Sequence, residues 1–80
     1  MVNTDLFKEW LETNTNYSAP VIRDMLSRLK RADTILTWQN EEVYIFYLER
    51  QEKFKELSPT VRSQLKKSVK LYRECCLLHE

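Results

Sequence analysis

The stretch that decides the fold is SPTVRSQLKKSVKLY, residues 58–72. Serine followed by proline is a typical helix start, because the serine side chain can accept hydrogen bonds from free backbone N–H groups and proline fits the first helical turn. The apolar residues that follow recur at spacings of four, four, three and four, which is the spacing of one helical face. That face consists of Val61, Leu65, Val69, Tyr72 and Cys76, widened by Leu71, Cys75 and Leu78. The stretch therefore predicts a long amphipathic helix, the fourth and last of the chain.

Two further amphipathic helices are predicted in the first half of the chain. The first runs from about Thr4 to Thr13, with its apolar side chains at the spacing of one face. The second begins at Ser18-Ala19-Pro20, where Ser18 is the expected cap, and ends after Ala32-Asp33. The connector from Thr34 to Trp38 is expected to pack its apolar side chains on the core. The apolar side chains of these three segments are Leu6, Phe7, Trp10 and Leu11, then Val21, Ile22, Met25, Leu26 and Leu29, then Ile35, Leu36 and Trp38.

The third predicted helix is the most ambiguous segment. Val43–Leu48 is a run of six apolar residues, which alone would also fit a buried strand. The helical spacing of Phe46, Phe54 and Leu57, together with many good helix formers between them, favours a helix. It is predicted to start near Asn40 and to be the central helix on which the other three pack.

These segments predict an all-α fold, a single four-helix domain over residues 1–80. Eighty residues build one core, and 42% hydrophobic with 31% charged residues is an ordinary globular composition. Glycine is absent, which argues against tight hairpins and phosphate-binding loops. The predicted core comprises Leu6, Trp10, Ile22, Leu26, Leu29, Phe46, Tyr47, Leu65, Val69 and Tyr72.

Several classes of function are disfavoured. No apolar stretch reaches the roughly 20 residues of a membrane span and no signal peptide pattern opens the chain, so a cytoplasmic location without a membrane partner is expected. Adjacent Cys75 and Cys76 are poorly placed for a disulfide, and the single histidine, His79, does not complete a metal site, so reduced thiols and no metal or cofactor are predicted. Redox or metal chemistry is the less favoured alternative.

A catalytic role is not predicted either. Neither the capping serines nor the adjacent thiols have a plausible base beside them. The glutamates of the third helix read more simply as helix-terminal or solvated side chains than as an acid–base pair. The chain is therefore expected not to be an enzyme and to have no small-molecule substrate.

The distribution of charge is the strongest functional signal. The formal net charge is only +1, yet residues 58–73 contain five basic residues and no acid, and the second helix has four basic residues against Asp24 alone. Such basic stripes are typical of phosphate-binding surfaces. The alternative is a solvated face whose lysines pair with acids of neighbouring helices. The nine candidate residues are Arg23, Arg28, Lys30, Arg31, Arg62, Lys66, Lys67, Lys70 and Arg73.

Tyr17, beside the start of the second helix, is a less favoured candidate for a phosphate hydrogen bond.

Four segments of the chain together resemble a known family: FKEWL (7–11), YSAPVIRDMLSRLKR (17–31), EVYIFYL (42–48) and LSPTVRSQLKKSVKLY (57–72). This pattern looks like the N-terminal core-binding (SAM-like) domain of phage integrases and other tyrosine recombinases. In that family, four helices in two crossed hairpins grip DNA, and the second and fourth helices supply much of the contact. The resemblance implies an orthogonal SAM-like bundle. The family's catalytic domain, with its nucleophilic tyrosine, is absent from this chain, which is therefore expected to bind DNA without cutting it.

Two functional hypotheses follow. The first is a module that clamps duplex DNA through the second and fourth helices. The second is a helical protein-interaction or self-association module whose basic stripe meets an acidic face. The two differ in whether the basic residues of both helices converge on one exposed surface.

Overall fold

The described part of the chain is all-α, as predicted, but it forms five helices where the sequence predicts four. A computed structural model describes residues 2–78, and none of these residues lies in a β-strand. The helices are α1 (Thr4–Asn14), α2 (Ala19–Ile35), α3 (Tyr44–Glu49), α4 (Glu52–Lys55) and α5 (Pro59–Leu78). Within the described part of the chain, no helix is long and apolar enough to cross a membrane.

The starts of the three long helices differ in how they are capped. The Oγ of Ser58 accepts a hydrogen bond of 3.3 Å from the backbone N–H of Val61, which confirms the predicted cap of α5. Ser18 does stand at the cap position of α2, but its side chain makes no capping hydrogen bond, so that prediction is wrong. At α1 the cap is Asn3, whose Oδ1 accepts from the backbone N–H of Leu6 over 3.1 Å.

The end of α2 is contacted by a side chain from the start of α3. The helix continues to Ile35, slightly further than predicted. The phenolic O–H of Tyr44 donates to the carbonyl of Leu36, which the helix end leaves free, and its oxygen also lies 3.2 Å from the carbonyl of Ala32, which already accepts from the backbone N–H of Leu36. Ile35, the last residue of α2, packs against the core together with Leu36 and Trp38 of the connector, which confirms the predicted contacts.

The long third helix is the main error of the sequence prediction. The segment near Asn40 is a bend and turn, α3 starts only at Tyr44, and the helix breaks at Gln51, whose backbone is extended (φ −73°, ψ 136°). Tyr44, Leu48 and Phe54 are all buried. In one continuous helix Phe54 would point about 120° away from Leu48, at about 100° per residue. The break lets both side chains reach the same core.

The centre of the molecule is formed by α1, α2 and α5, not by α3. The most extensive packing joins α2 and α5, followed by α1 and α2. The ring of Tyr72 in α5 makes edge contacts with Phe7 of α1 and with Trp38 of the connector, at centroid distances of 5.3 and 5.0 Å. Ser68 is completely buried on α5, and its small side chain suits a closely packed helix surface.

The predicted core is largely confirmed outside α3. Leu6 and Leu26 are half-buried against the core. Phe46 and Tyr47 are each 52% exposed, so their predicted burial is wrong. An unbroken apolar run does not reveal which side of a helix faces inward, and here Tyr44 and Leu48 occupy the core side. The confirmed core residues are Trp10, Ile22, Leu29, Leu65, Val69 and Tyr72.

Candidate nucleic-acid interface

Three lysines of α5 face one shallow groove on the surface. The groove has a volume of about 430 Å³ and contains no carboxylate in its lining. We call it the lysine groove; it is lined by Ser63, Lys66, Lys67, Lys70 and Leu71. Its lysines come from successive turns of a helix whose opposite side is anchored by Leu65, Val69 and Tyr72. The groove is therefore a cationic surface on a rigid support.

Lys67 is held in place by an aromatic ring from outside its own helix. Its Nζ lies 5.6 Å from the centroid of the Tyr17 ring, which is a cation–π contact. Tyr17 sits in the connection between α1 and α2, where its backbone N–H donates to the Oγ1 of Thr15 over 3.3 Å. From the sequence, Tyr17 is a candidate only for a direct hydrogen bond to phosphate. The structure places it as a support for a lysine.

Lys66 is partly neutralised by α3. Its Nζ lies 3.1 Å from Oε1 of Glu49, and both side chains are substantially exposed. A surface ion pair of this kind contributes about 0–1 kcal/mol. This contact is the alternative considered from the sequence, a lysine paired with an acid of a neighbouring helix. The pair is weak enough to open when a phosphate competes for the lysine.

Arg62 and Arg73 flank the groove on the side that faces α3 and α4. Arg62 lines a cleft that also contains Glu49 and Lys55, and Arg73 lines a cleft that also contains Glu41 and Glu42. Both arginines are half-buried, and their Nε atoms have no hydrogen-bond partner among residues 2–78. These side chains belong to surfaces of mixed charge, and Lys66 also lines the first cleft and Lys70 the second.

The basic residues of α2 do not line the lysine groove. Arg23 lines a cleft between α1 and α2 that also contains Lys8 and Glu12. Lys30 follows seven residues later and so lies on the same flank of α2. Arg28 and Arg31 lie on the other flank, turned from Arg23 by about 140° and 80° around the helix axis. The structure therefore distributes the nine candidates over several surfaces and gathers Lys66, Lys67 and Lys70.

The cysteines of α5 do not line the lysine groove. No group of three or more His, Cys, Asp or Glu side chains within residues 2–78 could hold a metal ion. His79 lies outside the described residues. Cys75 is buried and Cys76 half-buried, and both thiols are free. Burial, with a smaller contribution from Cys76, raises the pKa of the Cys75 thiol to about 11, so this thiol stays protonated at neutral pH.

Comparisons with known proteins leave the family open. No protein-family model matches the chain, and neither a curated protein nor a solved structure matches it. The resemblance to integrase core-binding domains stays a prediction.

Proposed function

We propose that this chain is a DNA-binding module that contacts the phosphates of duplex DNA through the lysine groove. The single observation that carries the proposal is the convergence of Lys66, Lys67 and Lys70 on a groove without a carboxylate. Phosphate contacts by lysine supply most of the affinity of non-specific DNA binding. The proposal is narrower than the prediction from sequence, since it assigns phosphate contacts to lysines of α5 only. No basic residue of α2 lines the groove, so the convergence of both helices that the clamp hypothesis requires is not found there.

The spacing of the lysines suits a DNA strand. Lys66 and Lys70 are four residues apart, which is about 6 Å along a helix axis. One strand of a duplex carries a phosphate every 3.4 Å or so of axis. Two or three neighbouring phosphates therefore match the three lysines of the groove.

The support from Tyr17 also favours this function. A free lysine loses side-chain entropy when it binds a phosphate, at a cost that reaches about 2 kcal/mol. The ring of Tyr17 already restricts Lys67, so part of that loss has occurred before DNA arrives. The groove is in this respect preorganised for an anion.

The finer architecture and the cellular context belong to the same proposal. We infer an orthogonal arrangement of helices of the SAM-like kind, similar to a recombinase core-binding domain, and action in the cytoplasm without catalysis. The split of the third helix into α3 and α4 departs from the four-helix pattern of that family. The proposal for DNA binding is supported by the groove and does not depend on the family.

The test is a titration with duplex DNA at several salt concentrations. With two or three phosphates contacted, the logarithm of the affinity should fall against the logarithm of the salt concentration with a slope of about −2 to −3. Lys67→Gln should weaken binding to all sequences and flatten the slope by about one unit. The matched control is Arg23→Gln, which removes one positive charge outside the groove. Glu52→Gln is a second control, and both should leave the slope unchanged.

Two outcomes would contradict the proposal. If Arg23→Gln flattens the slope as much as Lys67→Gln does, the groove is not the binding surface. If duplex DNA at low salt leaves the tryptophan fluorescence and amide signals unchanged, the chain does not bind DNA. An acidic face of a partner protein then becomes the better candidate for the lysine groove.

A further inference from the structure

A second cationic cleft adjoins the lysine groove, between α4 and α5. It has a volume of about 410 Å³, and Ser63 and Lys66 line both the cleft and the groove. We call it the α4–α5 cleft; its charged side chains are Glu49, Lys55, Arg62 and Lys66. Three positive side chains and one carboxylate give the cleft a net charge of +2. An excess of positive charge in a cleft attracts anions.

The short connection between α4 and α5 brings these positive charges together. Lys55 is the last residue of α4, and only residues 56–58 separate it from the start of α5. Arg62 lies in the first turn of α5. The nearby acids Glu52 and Glu56 do not line the cleft. The α4 segment therefore contributes positive charge to the cleft and no carboxylate.

Two of the three cations are free to bind an anion. Among residues 2–78, no carboxylate lies within ion-pair distance of Lys55 or Arg62, and the buried Nε of Arg62 has no hydrogen-bond partner. Buried polar atoms without a partner are rare in folded proteins, and a missing ion is one physical reason for them. The guanidinium group presents its N–H donors in a fork that matches the oxygens of a phosphate.

The third cation already holds an anionic oxygen. Nζ of Lys66 lies 3.1 Å from Oε1 of Glu49, whose side chain is 44% exposed. Glu49 is the last residue of α3. Because an exposed ion pair contributes little free energy, this carboxylate can turn into solvent when another anion binds Lys66. Glu49 is therefore a weak internal competitor for an anion in the cleft.

The net charge of the cleft favours a dianion. A phosphate monoester carries about −1.5 to −2 charges at neutral pH, whereas a phosphate inside a DNA strand carries one negative charge. We propose that the α4–α5 cleft binds a phosphate monoester, held by Lys55, Arg62 and Lys66. Two sources can supply this group, a small free phosphate ester or the phosphorylated end of a DNA strand in the adjoining lysine groove. Only the second source rests on the proposed function.

The cleft and the groove form one continuous row of positive charge. Arg62, Lys66 and Lys70 are spaced by four residues, so the row advances about 12 Å along α5 and turns by about 40° at each step. Lys66 belongs to both surfaces. A strand whose end lies at Arg62 therefore continues past Lys66 to Lys70.

The experiment for the site itself compares methyl phosphate, a monoester, with dimethyl phosphate, a diester with one charge. Titrations at neutral pH and constant ionic strength follow the amide signals of residues 55 and 62, and methyl phosphate should bind more tightly. Arg62→Gln and Lys55→Gln should each weaken its binding about two- to fivefold, the equivalent of one exposed ion pair. Glu49→Gln should strengthen it, because Lys66 then has no competing carboxylate. The matched control is Lys53→Gln, at an exposed position of α4 outside the cleft, which should leave the affinity unchanged.

A second measurement identifies the source of the phosphate. Duplexes of one sequence, with hydroxyl ends, with a 5′-phosphate or with a 3′-phosphate, are titrated into the native chain and into Arg62→Gln. If the cleft holds a strand end, one phosphorylated duplex should bind the native chain more tightly and lose that advantage in Arg62→Gln. Equal binding of all three duplexes, with methyl phosphate still bound in the cleft, identifies a free phosphate ester as the ligand.

The site is overturned if methyl phosphate binds no more tightly than dimethyl phosphate. It is also overturned if Lys53→Gln weakens the binding of methyl phosphate as much as Arg62→Gln does. A loss of duplex binding alone is a failure of the proposed function, since the result with methyl phosphate does not depend on DNA. Circular dichroism of each variant shows that its helices are intact.

Discussion

The backbone N–H of Asn3 donates a hydrogen bond of 2.8 Å to the phenolic oxygen of Tyr72. This bond joins the residue that caps α1 to the middle of α5, across 69 positions of sequence. The ring of Tyr72 is meanwhile enclosed by Phe7 and Trp38. One side chain therefore connects the start of the chain, the connector and the last helix.

The burial of tyrosine predicts how the fold responds to alkaline pH. Burial raises the pKa of Tyr44 and of Tyr72 from 10.0 to about 12, and the carboxylate of Asp33 adds to the effect at Tyr44. The unfolded chain releases these protons from about pH 10, so their contribution to stability is complete below pH 10 and is lost as pH rises through 12. Phenolate absorbance should therefore show a late component that coincides with the loss of helix in circular dichroism. Ionisation of all four tyrosines near pH 10 with the helices intact would contradict this.

The two cysteines should differ in reactivity. The thiolate is the reactive form of cysteine, and the buried thiol of Cys75 has a pKa of about 11. A disulfide reagent added to the native protein at neutral pH should modify Cys76 well before Cys75. Cys76→Ser should remove the fast reaction and Cys75→Ser should retain it, while both thiols react in urea. A fast reaction that survives in Cys76→Ser would show that Cys75 is accessible.

The serines that precede α2 and α5 offer a matched pair of substitutions. Ser58→Ala removes an observed capping hydrogen bond and should destabilise the fold by about 1 kcal/mol, which is about 4–8 °C in Tm for a domain of this size. Ser18→Ala removes no such bond and should change stability by less than about 0.5 kcal/mol. Thermal unfolding followed by circular dichroism measures both. Equal losses of stability in the two variants would mean that the capping hydrogen bond of Ser58 does not stabilise the fold.

Leu65 should be among the most sensitive positions of the core. Its side chain is 1% exposed, in the middle of the apolar face of α5. Leu65→Ala should cost about 2–5 kcal/mol through lost burial and the cavity left behind. Urea unfolding measures this, with Val21→Ala on the exposed start of α2 as the control. A cost below 1 kcal/mol or so would mean that the core closes around the gap.

The contact between Tyr17 and Lys67 predicts a distinctive effect on DNA binding. Tyr17→Leu removes the ring but no charge, so the number of counterions released on binding stays the same. The affinity should fall about two- to fivefold, the equivalent of a cation–π contact of roughly 0.5–1 kcal/mol, while the salt slope stays unchanged. Lys67→Gln should change both quantities. A flatter salt slope in Tyr17→Leu would mean that the loss of the ring also changes the number of phosphates contacted.

The sequence alone was sufficient to locate the basic residues but not to show which of them share a surface. Periodicity predicted α5, its cap at Ser58 and the lysines on its outer side, because these depend on spacing within one helix. Two other features depend on how the helices pack against each other. One is the ion pair of Lys66 with Glu49, and the other is the distance of Arg23 from α5. No spacing within one helix contains that information.

The limits of the sequence are clearest at the apolar run from Val43 to Leu48. Composition and periodicity determined the all-α fold, the long helices α1, α2 and α5, and most of their buried faces. Six consecutive apolar residues contain no period, so only tertiary structure decided which side of α3 faces inward. Tyr44 reaches the end of α2 with its hydroxyl, and Leu48 and Phe54 need the same core. All three side chains are buried because the helix breaks at Gln51, and Phe46 and Tyr47 remain exposed to solvent.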